Sequence, residues 1–278
     1  MESDSPARRG RLHGFSINRL IPNILTLAAL CSGLTAIRFA LQGEMRLAVI
    51  AIIVAAIFDA LDGRVARRLG VTSRFGAELD SLSDFLCFGV TPALVLYLAS
   101  LKDGGALGWV VTLMFPICSA LRLARFNTAL VSDTPPPVWT GSYFTGVPAP
   151  AGALLALIPL MVSFEIEAAW PRHALVVGTV LVIVGGLMVS RIPTYSFKKG
   201  RVPRHLVLPS LLGAALVMGV LASAPWIALS LIGLVYVSLI PFSWGAYRRQ
   251  AAQDRRAEAR PGEVVSLRSV DSGPSTQG

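Results

Sequence analysis

Four aspartates interrupt a chain that is otherwise built of long apolar runs. Between Asp59 and Asp84 the sequence reads Asp59-x2-Asp62-Gly63-x2-Ala66-Arg67-x8-Gly76-x3-Asp80-x3-Asp84. Ala51 to Phe58 is uninterrupted apolar sequence, and apolar residues resume at Phe85. The first pair of aspartates is spaced i, i+3 and the second i, i+4, so each pair falls on one face of a helix. An ionised Asp at the centre of a bilayer costs about 2.5–3.5 kcal/mol, and four cost on the order of 10–14 kcal/mol. Helices carrying that load need cations to neutralise it. Ionisable residues at membrane depth mark a functional site.

Composition sets the environment. The 278 residues are 54% hydrophobic and 15% charged, against about 25% charged in soluble domains. The chain therefore reads as all-α: a polytopic membrane helix bundle of about eight transmembrane helices. A spanning helix needs about 20 residues, and candidates lie near 22–41, 47–67, 79–101, 106–127, 146–164, 173–190, 205–222 and 226–244. Residues 1–21 form a basic tail, 22–245 the membrane domain, and 246–278 a charged, then Ser/Gly/Pro-rich, largely disordered tail. No cleavable signal peptide is expected at the N-terminus. Cys31, Cys87 and Cys118 lie in apolar segments without metal spacing and read as buried small hydrophobes.

The net charge of +9 does not signal nucleic acid, because the basic residues flank apolar segments and have no aromatic interleaving. They follow the positive-inside pattern instead. With the N-terminus in the cytoplasm, 21 Lys and Arg fall on that side. Arg46, Lys102 and Arg172 fall on the other, and Arg38 lies within the first span. Both termini are then cytoplasmic. Asp59 lies eight residues, about 12 Å, before Arg67 along its helix, so the aspartates sink below a cytoplasmic interface. That location suits a reaction between a lipid and a cytosolic small molecule.

Convergent carboxylates without His or Cys prefer hard divalent cations such as Mg²⁺, Mn²⁺ or Ca²⁺. Two such ions can clamp a phosphoryl group. Gly63 and Gly76 let backbone approach a bulky ligand, and Arg67, Arg64 and Arg68 lie within two turns of the carboxylates.

The spaced residues resemble the signature of the CDP-alcohol phosphotransferase family, with eight specified positions in 26 residues and no departure. The resemblance implies a bundle with a six-helix catalytic core, often a homodimer, in the bacterial inner membrane. It implies that Asp59, Asp62 and Asp80 bind metal, two Mg²⁺ or Mn²⁺ ions. Asp84 is implied as a metal neighbour and general base. Gly63, Arg67 and Gly76 are implied to contact the CDP moiety, and Asn23 and Thr26 are further candidates for that pocket.

Other segments resemble the serine-accepting branch of that family. They are Ile21-Pro22-Asn23, Leu121 to Thr128, Tyr143 to Pro150 and Pro193 to Lys199. The implied reaction takes CDP-diacylglycerol and L-serine to phosphatidylserine and CMP. Arg122, Arg125 and Asn127 are then candidates for the serine pocket, one arginine pairing with the serine carboxylate. Other acceptors are glycerol 3-phosphate, an inositol derivative or choline. A cation transporter is the alternative of another class. Against it, the aspartates cluster at one face and the second half of the chain has no matching acidic site.

Overall fold

Small residues fix the core of the bundle. In the computed structural model, which describes residues 20–71, 73–131, 143–166, 168–190, 193–195 and 207–240, helix α1 (Leu20–Leu41) and helix α2 (Met45–Leu69) form an antiparallel hairpin. The buried stripe of α1 is Pro22, Thr26, Ala29, Gly33, Ala36 and Ala40. On α2 it begins Ala48, Val49, Ala51, Ile52 and Ala55 and ends at Asp62. Small side chains at three- and four-residue spacing bring two backbones close, as helix pairs in lipid require.

The hairpin ends at Gly70, which takes the left-handed φ of 63° and returns its N–H to the Ala66 carbonyl. Ser73 then caps α3 (Arg74–Asp84), its Oγ accepting from the Gly76 N–H at 3.0 Å. Helices α2 and α3 both pack against α1, which gathers the end of α2 and the start of α3 at one end of that helix. Helix continues past Asp84 through a π turn (Phe85–Val90), α4 (Thr91–Leu96) and a second π turn (Tyr97–Leu101). Three short polar side chains stitch this long helix to α1. Ser83 Oγ donates to the Thr26 carbonyl at 3.4 Å, Cys87 Sγ to Ala29 at 3.3 Å, and Thr91 Oγ1 to Gly33 at 3.4 Å.

Gly105, with φ 58°, breaks the chain before α5 (Gly105–Val131). Helices α6 (Ala149–Ala156), α7 (Ile158–Val162) and α8 (Ala174–Val189) follow. Helix α5 packs on α8 and on the long helix. Helices α9 (Val207–Ser223) and α10 (Pro225–Ile240) complete the described chain. The one departure from an all-helical structure among the described residues is a ribbon, β1 (Tyr143–Thr145) against β2 (Pro193–Tyr195). Its strands are antiparallel with Phe144 opposite Thr194. It joins the two loops singled out above.

The outer surface is apolar, with Leu107, Leu175 and Leu216 each 70% exposed or more, which marks a lipid-facing bundle rather than a water-facing one. By length and apolarity, Leu20–Leu41 and the run Arg74–Thr128, divided at Gly105, are long enough to cross a membrane. Helix α2 has 25 residues, but its final third is charged.

Three expectations need correction. The third helix starts at Arg74 rather than residue 79, because Ser73 supplies a cap that apolar periodicity does not register. The fifth candidate span divides into α6 and α7 at Leu157, two residues before Pro159. Of the cysteines, Cys87 is buried, Cys118 is half-buried and Cys31 is exposed, since Cys31 lies on the outward face of α1. Both tails and the basic loop residues Lys198, Lys199, Arg201 and Arg204 lie outside the described residues.

Candidate active site

The carboxylates meet where α2 and α3 come together. Asp59 and Asp62 project from α2 and Asp80 from α3. One carboxylate oxygen of each lies within 4.8 Å of the others. Asp62 is 4% exposed. Its Oδ2 accepts a 2.7 Å hydrogen bond from Thr26 Oγ1 on α1, 36 residues earlier. That hydroxyl also lies 3.1 Å from the Pro22 carbonyl, so Asp62 offers the shorter bond. An all-oxygen set of this spread fits a hard divalent cation and would not select Zn²⁺ or copper.

Asp84 lies deeper, one turn beyond Asp80 on the same face. It sits against Asp59, and its buried Oδ1 has no hydrogen-bond partner. The Arg122 guanidinium of α5 faces it closely enough for the two charges to interact. Arg122 Nε is also buried and unpartnered, and Tyr236 of α10 approaches the same guanidinium. Asp84 and Arg122 thus present unspent hydrogen-bonding capacity beside the three-aspartate cluster.

A cavity of about 180 Å³ opens next to that cluster. Asp62 and Asp80 form one wall, and Pro22, Asn23, Thr26, Gly63, Ala66, Arg67, Ser73 and Gly76 complete most of the lining. All five residues expected at the CDP moiety therefore surround one space. The Arg67 side chain folds back over Gly63, with Nη1 3.5 Å from where a Cβ would stand. At Gly76 a Cβ would stand 3.1 Å from both Asn23 Oδ1 and Ser73 Oγ. Arg64 and Arg68 are exposed and do not line the cavity.

The three residues expected at the acceptor pocket separate. Arg122 faces Asp84. Arg125 is exposed and spends Nη1 on the Val189 carbonyl at 2.7 Å, tying α5 to the end of α8. Asn127 donates from Nδ2 to Ser81 Oγ at 3.0 Å, tying α5 to the helix that carries Asp80. Sequence reasoning did not single out Ser73, Ser81 or Ser83. The cap before Gly76 was the one readable signal among them.

The site lies within the part of the chain that matches known proteins. The model described as CDP-alcohol phosphatidyltransferase matches residues 19–189, and one described as CDP-alcohol phosphatidyltransferase 2 matches 205–241. A Mycobacterium leprae protein named CDP-diacylglycerol--serine O-phosphatidyltransferase is 38% identical over 242 residues, covering 85% of this chain and 80% of its own. A Mycobacterium tuberculosis protein of the same name is 37% identical over 267 residues, covering 92% and 91%. An archaetidylserine synthase from Methanothermobacter thermautotrophicus is 32% identical over 176 residues, covering 62% and 68%. With its aspartate cluster intact and more than half its length matched, the chain belongs to the CDP-alcohol phosphatidyltransferase family.

Proposed function

We propose that this membrane enzyme transfers the phosphatidyl group of CDP-diacylglycerol to L-serine, releasing CMP. The observation that carries the reading is the convergence of Asp59, Asp62 and Asp80 beside a cavity walled by Arg67, with Asp84 and Arg122 behind them. The names of the mycobacterial relatives support serine as acceptor, and the archaeal relative's name also contains serine.

In this reading Asp59, Asp62 and Asp80 hold Mg²⁺ or Mn²⁺, two ions in all. Bound there, the ions neutralise the pyrophosphate and stabilise charge at the transferring phosphoryl group. Arg67 reaches the phosphate oxygens through its guanidinium fork, and Asn23 and Gly76 shape the nucleotide cavity. Arg122 binds the serine carboxylate and so sets the serine hydroxyl against Asp84. Asp84 accepts the hydroxyl proton as the oxygen forms its bond to the β-phosphorus. The bond from that phosphorus to the oxygen bridging to CMP breaks, and CMP leaves with the electron pair. Thr26 acts through Asp62 as a positioning residue.

We further read the chain as eight transmembrane helices of a bacterial inner membrane, with both termini and the aspartate cleft facing the cytoplasm. The 21-to-three division of basic residues supports that orientation. The homodimer rests on the family resemblance.

The test is CMP release from CDP-diacylglycerol in detergent, with Mg²⁺ or Mn²⁺ and serine against glycerol 3-phosphate, inositol and choline. Release with serine alone supports the reading, and release with another acceptor alone overturns it. Asp84→Asn should abolish turnover while CDP-diacylglycerol still binds. Full activity in that variant excludes Asp84 as the base.

A further inference from the structure

At the end of the bundle opposite the aspartates, two arginines converge on one phenylalanine. Arg46, the second residue of α2, lies 13 residues, about 20 Å, from Asp59 along that helix. Its Nη2 donates to the Phe164 carbonyl at 2.8 Å, and its guanidinium carbon lies 5.6 Å from the Phe164 ring centroid. The Arg172 guanidinium carbon is 6.0 Å from the same centroid, and its Nε donates to Ser163 Oγ at 2.9 Å. Phe164 is anchored in turn, edge to face with Trp226 at 4.9 Å. A cavity of about 270 Å³ opens between Glu44, Arg46, Ser163, Phe164 and Arg172.

Both arginines are exposed, and the arrangement includes the Glu44 carboxylate on the same cavity. Two like charges share one cavity wall, and among the described residues no carboxylate oxygen lies within 4.0 Å of either guanidinium. It also runs against the charge pattern of the chain. Only three basic residues were assigned to this face, and two of them meet here. Each arginine spends one N–H on the protein, which fixes its orientation and leaves most of its fork directed elsewhere. Two oriented forks beside an aromatic pair at a membrane surface match one ligand chemistry, a phosphate oxygen cluster at headgroup depth.

We infer that this cavity binds the phosphodiester headgroup of a membrane phospholipid from the leaflet opposite the aspartate cleft. Arg46 and Arg172 hold the phosphate oxygens, and Phe164, buried against Trp226, backs both guanidiniums. The bound lipid clamps the α1–α2 turn to the segment between α7 and α8.

The test uses the full chain in non-ionic detergent, with dioctanoyl phosphatidylglycerol, dioctanoylglycerol and inorganic phosphate as probes. Binding is read by titration and by thermal unfolding. Phosphatidylglycerol should bind and raise the melting temperature, and the other two should do neither at the same concentration. Arg172→Gln keeps an amide donor for Ser163, and it should weaken the lipid about ten-fold. The Arg46→Gln/Arg172→Gln pair should abolish the thermal shift while CMP release stays at the wild-type level. If the pair does not fold, Arg172→Gln decides alone. Unchanged lipid affinity in Arg172→Gln overturns the inference. So does inorganic phosphate binding as tightly as the lipid, which would make this a soluble-anion site.

Discussion

Replacing Thr26 with Val tests whether the cluster depends on a residue that acts through the Asp62 carboxylate. Thr26 Oγ1 gives Asp62 Oδ2 a 2.7 Å hydrogen bond, and both residues are 4% exposed. Valine keeps the branched shape and removes only the hydroxyl. The lost bond is one to a charged acceptor, worth about 1.5–3 kcal/mol. At about 1.36 kcal/mol per decade, that is about a 10- to 150-fold weakening of whatever Asp62 holds. Partners that orient metal ligands are known to be worth about 10- to 100-fold in metal affinity or activity. The assay is CMP release against Mg²⁺ or Mn²⁺ concentration at saturating substrates. The half-activating metal concentration should rise about 10- to 100-fold, with the maximal rate largely recovered at high metal. Thr26→Ser, which restores the hydroxyl, should return the curve toward wild type. An unchanged metal dependence in a folded Thr26→Val protein would refute the positioning role.

Three further outcomes follow from the packing. Gly33→Ala puts a Cβ 2.6 Å from Cys87 Sγ, so thermal unfolding should show a loss of about 1–3 kcal/mol; an unchanged melting temperature would mean that α1 and the long helix are not closely packed there. Gly76→Ala narrows the cavity against Asn23 and Ser73, and it should raise KM for CDP-diacylglycerol several-fold with little change in melting temperature. Arg122→Gln should raise KM for serine by about ten-fold or more. Arg125→Gln should instead lower stability by about 1 kcal/mol through the lost Val189 bond, and equal serine KM effects in both variants would contradict that division.

The aspartate cluster was legible because its ligands are close in sequence. Asp59 and Asp62, and then Asp80 and Asp84, share helix faces at spacings that read directly as neighbours. What supports them was not legible, because it crosses between helices. Thr26 reaches Asp62 over 36 residues, and Asn127 reaches Ser81 over 46. Neither pairing leaves a periodic trace. Arg122 and Arg125 look equivalent in sequence, each an arginine near a helix end. Only packing separates them, since one faces Asp84 and the other turns to α8. The apolar runs gave the helices to within a few residues but not the divided α6–α7 pair, and loop composition gave no sign of the β1–β2 ribbon.

The π turn after Asp84 has a consequence for how the length of this chain can vary. In an α-helix, eight residues from Ser83 to Thr91 would drift about 80° around the axis, and Thr91 could not face the helix that Ser83 faces. Both do reach α1, because the wider i→i+5 turn between them takes up one extra residue. Deleting one residue within Phe85–Val90 would therefore rewind the segment as α-helix and leave Asp80 and Asp84 in phase with the rest of the bundle. The same deletion between Asp80 and Asp84 in α3, where no slack exists, would swing Asp80 by about 100°. Relatives that differ by single-residue insertions or deletions in this helix should carry them within the π turns, where the aspartate cluster does not register the change.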